Sequence, residues 1–268
     1  MIKIILSDID GTFLKDDKTA TDLHAKAIKS AVDKGLKFVF VSARMPEAIY
    51  PITDALNMPH TPVISYGGAF VLTEREEVIF DKKMPADDTR NILATMRRTW
   101  QDITINFYTG RHWFVESIDK RVQFEMDITS ATAELANFDD LLDKNILPNK
   151  ILIMCEPPTC EEMERDLGEK FPALNVVRSA PFLLEIMDKS VSKATGINVL
   201  LKHYGFTLDE AVAFGDNYND TEMLELIPQS VAMANAPDAV KKLAAAVTDS
   251  NEQSGIYTYL VKIGVIMP

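Results

Sequence analysis

A chain of 268 residues, 47% hydrophobic and 25% charged, is long enough for one large domain or two modest ones and has an ordinary globular composition. Its net charge of −12 argues against a nucleic-acid footprint, which needs a basic face. An anionic substrate stays open, because a bound metal can reverse the local field. No apolar run approaches the ~20 residues of a membrane span, and the start, MIKIILSDID, lacks a signal-peptide pattern. A soluble cytoplasmic protein with neither nucleic acid nor membrane as partner is expected. Cys155 and Cys160 have no partner cluster, so a reduced structural role is expected for both.

The chain opens on an apolar run at residues 2–6 that predicts a buried strand, and Gly11-Thr12 predicts a turn after it. Asp8 sits where the strand ends, with Asp10 two positions on. Two carboxylates about 4 Å apart repel by roughly 4 kcal/mol at an effective dielectric of ~20. A cation, a shared proton or full hydration must relieve that cost, and for the pair alone a solvated acidic turn competes with a functional site. Thr21 can cap a helix in which Leu23, Ala27, Ile28, Ala31 and Val32 recur at helical spacing, and Gly35 is placed to end it. KFVFVSAR predicts a strand ending at Ser42, Ala43 and Arg44, and Pro46 opens a helix to about residue 56. A third apolar run, PVISYGGAFV, carries Gly67-Gly68 at its end, with a hairpin around 73–76. Strands alternating with helices predict a parallel sheet with crossover helices.

From about Met84 the character changes. A helix at 87–100, a hairpin turning at Thr109-Gly110, acidic amphipathic stretches at 122–128 and 138–142, the strand KILIMCE, a helix at 159–171 and two strands broken at Pro181 predict an α+β unit. From Ser192 the earlier rhythm returns, with a helix at 194–203, the strand EAVAFGD, the loop NYND, a helix at 221–226, the strand SVAMA and further short elements. The predicted fold class is α/β: a Rossmann-like parallel sheet core formed by residues 1–83 and 186–268, with an α+β cap domain inserted at 84–185.

In a parallel sheet, ligands gather beyond the carboxyl ends of the strands. Three strands end in polar groups here: Asp8 and Asp10, then Ser42, then Asp216 with Asn219 and Asp220 on the loop after it. Lys193 just precedes a helix, where the macrodipole disfavours a cation by up to ~1 kcal/mol. It either extends into solvent or serves as a counter-charge to the aspartates. The inventory suits phosphoryl chemistry, with Asp8 a possible nucleophile and Asp10 a possible acid/base. Ser42 is a donor, Lys193 a fixed charge, and Asp216 and Asp220 complete an all-oxygen set of the kind that suits Mg²⁺.

DIDGT, SAR, Lys193 and GDNYND together resemble the four motifs of the haloacid dehalogenase superfamily of phosphatases. The insertion between the second and third motifs resembles the cap of the Cof-type, class IIB branch (the C2B cap). Within that branch, RSAPFLLEIMDKSVSKATGI resembles the YidA-like sugar phosphatases. The resemblance spans essentially the whole chain. It implies a Mg²⁺-dependent phosphomonoesterase of small phosphorylated metabolites, sugar phosphates foremost, working through an aspartyl-phosphate and existing as a monomer or homodimer. It also implies roles: Asp8 attacks phosphorus and Asp10 moves the proton while its backbone carbonyl contacts the metal. Ser42 and Lys193 hold phosphoryl oxygens, and Asp216 is the main metal ligand with Asp220 behind it. Gly11 and Thr12 shape a turn whose N–H groups face phosphate, and Asn219 touches the phosphoryl group. Ala43 stands where glycine is usual and slightly restricts its turn; Ala194 also replaces a common glycine. YGGA stands where NGA is frequent, so Gly68 lacks an Asn side chain that would face the substrate. A phosphotransferase or mutase, and a non-catalytic binding protein, are the alternatives.

Some residues stay open. Arg44 either contacts substrate or pairs with an acidic neighbour. Tyr108, Arg111 and His112 form either a substrate-facing or an ordinary exposed hairpin. His24, His60, His112 and His203 are dispersed, without metal-ligand spacing.

Overall fold

The computed structural model describes residues 1–57 and 61–268, and His60 lies outside them. The chain forms two compact units. The first is Met1–Arg44, Ile52–Phe80 and Ser192–Pro268, and the second is Met45–Pro51 and Asp81–Val191.

The chain begins with strand β1 (Ile4–Ser7), helix α1 (Asp22–Asp33), β2 (Lys37–Val41), α2 (Tyr50–Ala55), β3 (Val63–Ser65), β4 (Phe70–Leu72) and β5 (Val78–Asp81). It continues with α3 (Ala86–Thr99), β6 (Thr104–Thr109), β7 (His112–Val115), α4 (Lys120–Thr129), β8 (Glu134–Leu135), α5 (Phe138–Asp143), β9 (Lys150–Met154), α6 (Pro157–Lys170), β10 (Leu174–Ala180) and β11 (Leu183–Asp188). It then returns through α7 (Lys193–Tyr204), β12 (Ala211–Gly215), α8 (Thr221–Leu226), β13 (Gln229–Ala232), α9 (Asp238–Lys241), β14 (Ala246–Val247) and α10 (Gly255–Lys262).

The sheet of the first unit runs β14-β13-β12-β1-β2-β3-β4-β5. β1 pairs in parallel with β2 on one side and β12 on the other, Ser7 lying opposite Phe40 and Phe214. All four β1 residues are buried, which explains why the sequence shows an unbroken apolar run rather than alternation. Ile4, Leu6, Val39, Val41 and Ile64 pack on one face against Ile197, Leu200 and Leu201 of α7. After β1 the chain builds outward to β2 and β3, and on its return it builds the other way to β12, β13 and β14. The strand order therefore reverses beside β1, and the carboxyl ends of β1, β2 and β12 open on one edge.

Helix α1 starts at the cap expected from the sequence. The Thr21 hydroxyl accepts the His24 N–H at 3.0 Å to open α1. His24 is buried, its Nδ1 2.9 Å from the Phe13 carbonyl and its Nε2 accepting the Ile256 N–H at 3.3 Å. That acceptance puts the imidazole proton on Nδ1. The ring ties the segment after Asp10 to both α1 and α10, so this histidine is a satisfied core residue.

The run PVISYGGAFV is two strands, because Tyr66, Gly67 and Gly68 all have positive φ (51°, 59° and 112°) and turn β4 back antiparallel onto β3.

The second unit has a six-stranded sheet in the order β10-β11-β9-β6-β7-β8. Ile92 and Met96 of α3, Phe138 and Leu142 of α5 and Met163 and Leu167 of α6 pack on Phe107, Ile151, Ile153, Leu184 and Ile186 of its strands. The expected limits at 83/84 and 185/186 shift to 80/81 and 191/192, and residues 45–51 join this unit. A boundary at 186 would cut β11, which is paired along its length with β9 and β10. Cys155 and Cys160 are free and buried within this unit.

Candidate active site

The ends of β1 and β12 bring Asp8, Asp216 and Asp220 together, with one carboxylate oxygen of each lying within 4.8 Å of the others. The Asp8 N–H donates to the Phe214 carbonyl at 3.0 Å, extending the β1–β12 pairing and fixing where Asp8 leaves the sheet. Lys193 is the first residue of α7, not the residue before it, and Ser192 caps the helix by accepting the Thr195 N–H. Its ammonium reaches Asp8 Oδ1 at 2.5 Å and Asp220 Oδ1 at 2.6 Å. Lys193 is 3% exposed, Asp8 5% and Asp220 0%, which excludes the solvent-directed reading of the lysine.

Burial opposes the charge on Lys193, but Asp220 and Asp8 outweigh it and hold the ammonium above its ordinary range. Burial pushes the Asp8 carboxyl up; Lys193 pulls it back, and the charges of Asp220 and Asp216 add to the rise, leaving it above the usual carboxylate range. Asp216 is pushed up to about 6, chiefly by burial, against the hydrogen bond from Thr12.

The cluster sets three carboxylates against the Lys193 ammonium, which pairs with Asp8 and Asp220, an excess of two negative charges when all are ionised. Each like-charged pair lies within 4.8 Å, where the repulsion is roughly 3–4 kcal/mol or more at an effective dielectric of ~20. A divalent cation balances that excess, and the donors are all hard oxygens, so the set fits Mg²⁺.

Asp220 accepts from three donors: Lys193 on Oδ1, and the N–H groups of Asp216 (2.9 Å) and Asn217 (3.0 Å) on Oδ2. It locks the loop after β12 and aims Lys193. Gly215 makes this possible, since a Cβ there would lie 2.7 Å from Asp220 Cβ. Thr12 donates to Asp216 Oδ1 at 2.7 Å. Its hydroxyl therefore anchors a carboxylate, in addition to shaping the turn with Gly11.

Asp10 points elsewhere. Arg44 donates from Nε to Oδ2 at 2.9 Å and from Nη2 to Oδ1 at 2.8 Å, and Lys18 Nζ adds a contact to Oδ1 at 2.9 Å. Burial raises its carboxyl, but Arg44 and Lys18 outweigh burial and hold it below the usual range. Of the two readings of Arg44, the structure shows the acidic partner. Ser42 is buried at the end of β2, and its Oγ accepts the Arg44 N–H at 3.2 Å, leaving the hydroxyl proton to donate. Ala43 is half-buried between them. Asn219 is exposed on the turn Tyr218–Asp220.

Gly68 corrects an expectation. No side chain faces a substrate from this position, because a Cβ there would lie 1.9 Å from the Ser192 carbonyl oxygen. The glycine lets the β3–β4 turn lie against the start of α7, which sets the height of Lys193. In the second unit, Arg111 pairs with Glu47 and lies over the Tyr50 ring, while His112 pairs with Glu134.

Two further residues, Lys18 and Asn235, border the site without belonging to any motif. Lys18 carries no local signal, being one exposed lysine in a polar loop. Asn235 had one: it lies just beyond β13, the strand next to β12, whose end opens on the same edge. Its Nδ2 donates to the Gly11 carbonyl at 2.8 Å and approaches Asp216 Oδ2 at 3.4 Å.

Comparison with known proteins gives consistent results. Residues 5–260 match the family described as haloacid dehalogenase-like hydrolase. A Haemophilus influenzae protein that bears a provisional phosphatase name is 32% identical over 257 residues, 96% of each chain. The 5-amino-6-(5-phospho-D-ribitylamino)uracil phosphatase of Bacillus subtilis is 27% identical over 259 residues, 95% of this chain and 93% of its own. A haloacid dehalogenase-like hydrolase from Bacteroides thetaiotaomicron, solved by crystallography, superposes with a TM-score of 0.88 at 28% identity, covering 98% of this chain and 100% of the other.

Proposed function

This chain belongs to the haloacid dehalogenase-like hydrolase family, a phosphatase of the Cof type, and on that premise we propose a Mg²⁺-dependent phosphomonoesterase acting on small phosphorylated metabolites, sugar phosphates foremost. The observation that carries the reading is the buried Lys193 ammonium shared by Asp8 and Asp220, with Asp216 in the same cluster. It supports a carboxylate nucleophile beside a fixed positive charge. The phosphorylated ribityl compound in the name of the Bacillus subtilis relative supports a polyhydroxylated leaving group.

In this mechanism an Asp8 oxygen attacks phosphorus. The bond from phosphorus to the ester oxygen breaks, its electron pair stays on that oxygen, and Asp10 supplies the proton that makes it an alcohol. Water then attacks the aspartyl-phosphate while Asp10 takes its proton back. The phosphorus–Asp8 bond breaks to free phosphate and restore the carboxylate. Lys193 holds a phosphoryl oxygen and steadies charge as it develops, and Ser42 donates to another. Mg²⁺, held by the Asp8 and Asp216 side chains and the Asp10 carbonyl with Asp220 behind them, would supply charge neutralisation and polarise the phosphoryl group. For Asp10 to deliver a proton its carboxyl has to leave the Arg44 pair. We assign substrate selectivity to the second unit, since its sequence interrupts the site-bearing one between Arg44 and Lys193.

Asp8→Asn tests the assignment. Turnover of p-nitrophenyl phosphate is expected to vanish with the melting profile intact, and retained turnover would refute Asp8 as nucleophile. Phosphate release across a panel of phosphorylated sugars and polyols is expected to single out one group. Transfer to an added sugar acceptor as the main outcome would instead mark a phosphotransferase.

A further inference from the structure

Asp216 is held from two sides. Thr12 donates to Oδ1, and the Asn235 amide stands over Oδ2 at 3.4 Å while donating to the Gly11 carbonyl at 2.8 Å. The contact at Gly11 is close: a Cβ on that residue would lie 2.3 Å from Asp216 Oδ2. The Asn235 amide is itself oriented, because its Oδ1 accepts the Asn251 N–H at 3.1 Å, which turns the NH₂ toward Gly11 and Asp216. Asn251 is buried, and its own side chain donates to the Leu14 carbonyl at 3.0 Å. One amide thus couples the turn after β1, the carboxylate after β12 and the loop before α10.

We propose that Asn235 is a positioning residue that fixes the Asp216 carboxylate for cation binding. The inference rests on the reading of the site as a Mg²⁺ site. A ligating carboxylate presents a fixed oxygen only when hydrogen bonds behind it hold its plane, and removing such outer partners typically weakens metal binding about 10–100-fold. Thr12 holds one carboxylate oxygen, Oδ1. With Asn235 present, both oxygens are set, and the Gly11 turn that packs on them is held by the same amide. Asn235 is exposed, so its truncation opens no buried cavity. Its loss is therefore expected to act on the site more than on the fold.

The test is calorimetric titration of MgCl₂ into metal-free wild type and Asn235→Ala, alongside thermal melts of both in EDTA. The expected result is a dissociation constant raised about 10–100-fold with the metal-free melting temperatures coinciding. The Mg²⁺ concentration for half-maximal p-nitrophenyl phosphate turnover is expected to rise in parallel. An unchanged dissociation constant in a folded variant overturns the inference and leaves the phosphatase reading standing. A lowered metal-free melting temperature with unshifted affinity also overturns it, marking a structural role. Wild type that takes up no Mg²⁺ refutes the reading of the site, and the inference falls with it. Asn235→Ser, too short to reach either acceptor, repeats the measurement if the alanine variant does not fold.

Discussion

Replacing Lys193 with methionine removes one ammonium and little volume, and the structure sets what that should cost. In the wild type the Nζ atom lies 2.5 Å from Asp8 and 2.6 Å from Asp220, all three side chains being buried. Breaking a buried pair from one side leaves charge uncompensated and costs about 3–5 kcal/mol. At about 2–4 °C per kcal/mol this is a fall of roughly 6–20 °C in melting temperature. The pH dependence identifies the cause. The folded pKa of Lys193 lies above its unfolded value, so its contribution is complete below the unfolded value and fades only as pH rises through the folded one. In Lys193→Met the Asp8 carboxyl loses the group that pulls it down, so the folded variant binds a proton over a wider range in which the unfolded chain has lost it. Wild-type Asp8 is itself raised to about 8, so both proteins lose stability together as pH rises toward that value, and the gap to wild type widens above it, between pH 8 and pH 9. Urea denaturation in EDTA at both pH values reads this directly. A variant as stable as wild type, or a gap that narrows with pH, would refute the electrostatic account of the cluster.

Three further outcomes follow from named contacts. Saturating Mg²⁺ at a hundred times its dissociation constant is expected to stabilise the metal-free protein by about 2.7 kcal/mol, and a melting curve indifferent to Mg²⁺ would count against the metal assignment. Gly68→Ala places a Cβ 1.9 Å from the Ser192 carbonyl oxygen at a φ of +112°, so a loss of more than ~2 kcal/mol in chemical denaturation is expected, together with lost activity through Lys193. Burial lowers the His24 pKa to about 4, so as pH falls from 6.5 the unfolded chain takes this proton first and stability drops, by about 3 kcal/mol once pH 4 is passed. His24→Gln is expected to remove that component of the acid limb, and denaturation curves for both proteins that stay parallel from pH 7 to pH 4 would contradict it.

The core sheet was legible because its central strands are buried on both faces, which leaves short unbroken apolar runs such as the one that forms β1. The candidate site was legible for a related reason: Asp8, Ser42 and Asp216 each follow an apolar run at the end where a parallel sheet exposes its ligand edge. The limits of the second unit were not. Residues 183–188 have the same composition whether their partners come from one sheet or the other, and only the pairing with β9 and β10 decides. The break in PVISYGGAFV was also hidden, because Tyr66, a poor candidate for positive φ, begins the turn that the two glycines complete. Arg44 and Asp10 are 34 residues apart, and no local pattern reports which acid an arginine will find.

The two carboxylates of the opening motif end in opposite environments, and the opposition bears on mechanism. The protein's own groups push Asp8 up, chiefly through burial, and hold Asp10 down through Arg44 and Lys18. The proposed chemistry asks for the reverse: an ionised Asp8 to attack and a protonated Asp10 to give. Divergent pKa values within one site are how acid and base assignments are ordinarily found, so the inversion has to be resolved by what binds. A divalent cation beside Asp8 adds the positive charge that burial makes scarce, which favours its ionised form. A phosphoryl dianion that reached Arg44 would compete for the guanidinium that now holds both Asp10 oxygens, and every contact it took would release the Asp10 carboxyl toward its ordinary range. Substrate and cation would then each correct one carboxylate, so that the site becomes competent only when both are in place. In the proposed mechanism Arg44 would then act without touching the leaving group, by keeping Asp10 ionised until a competing anion arrived.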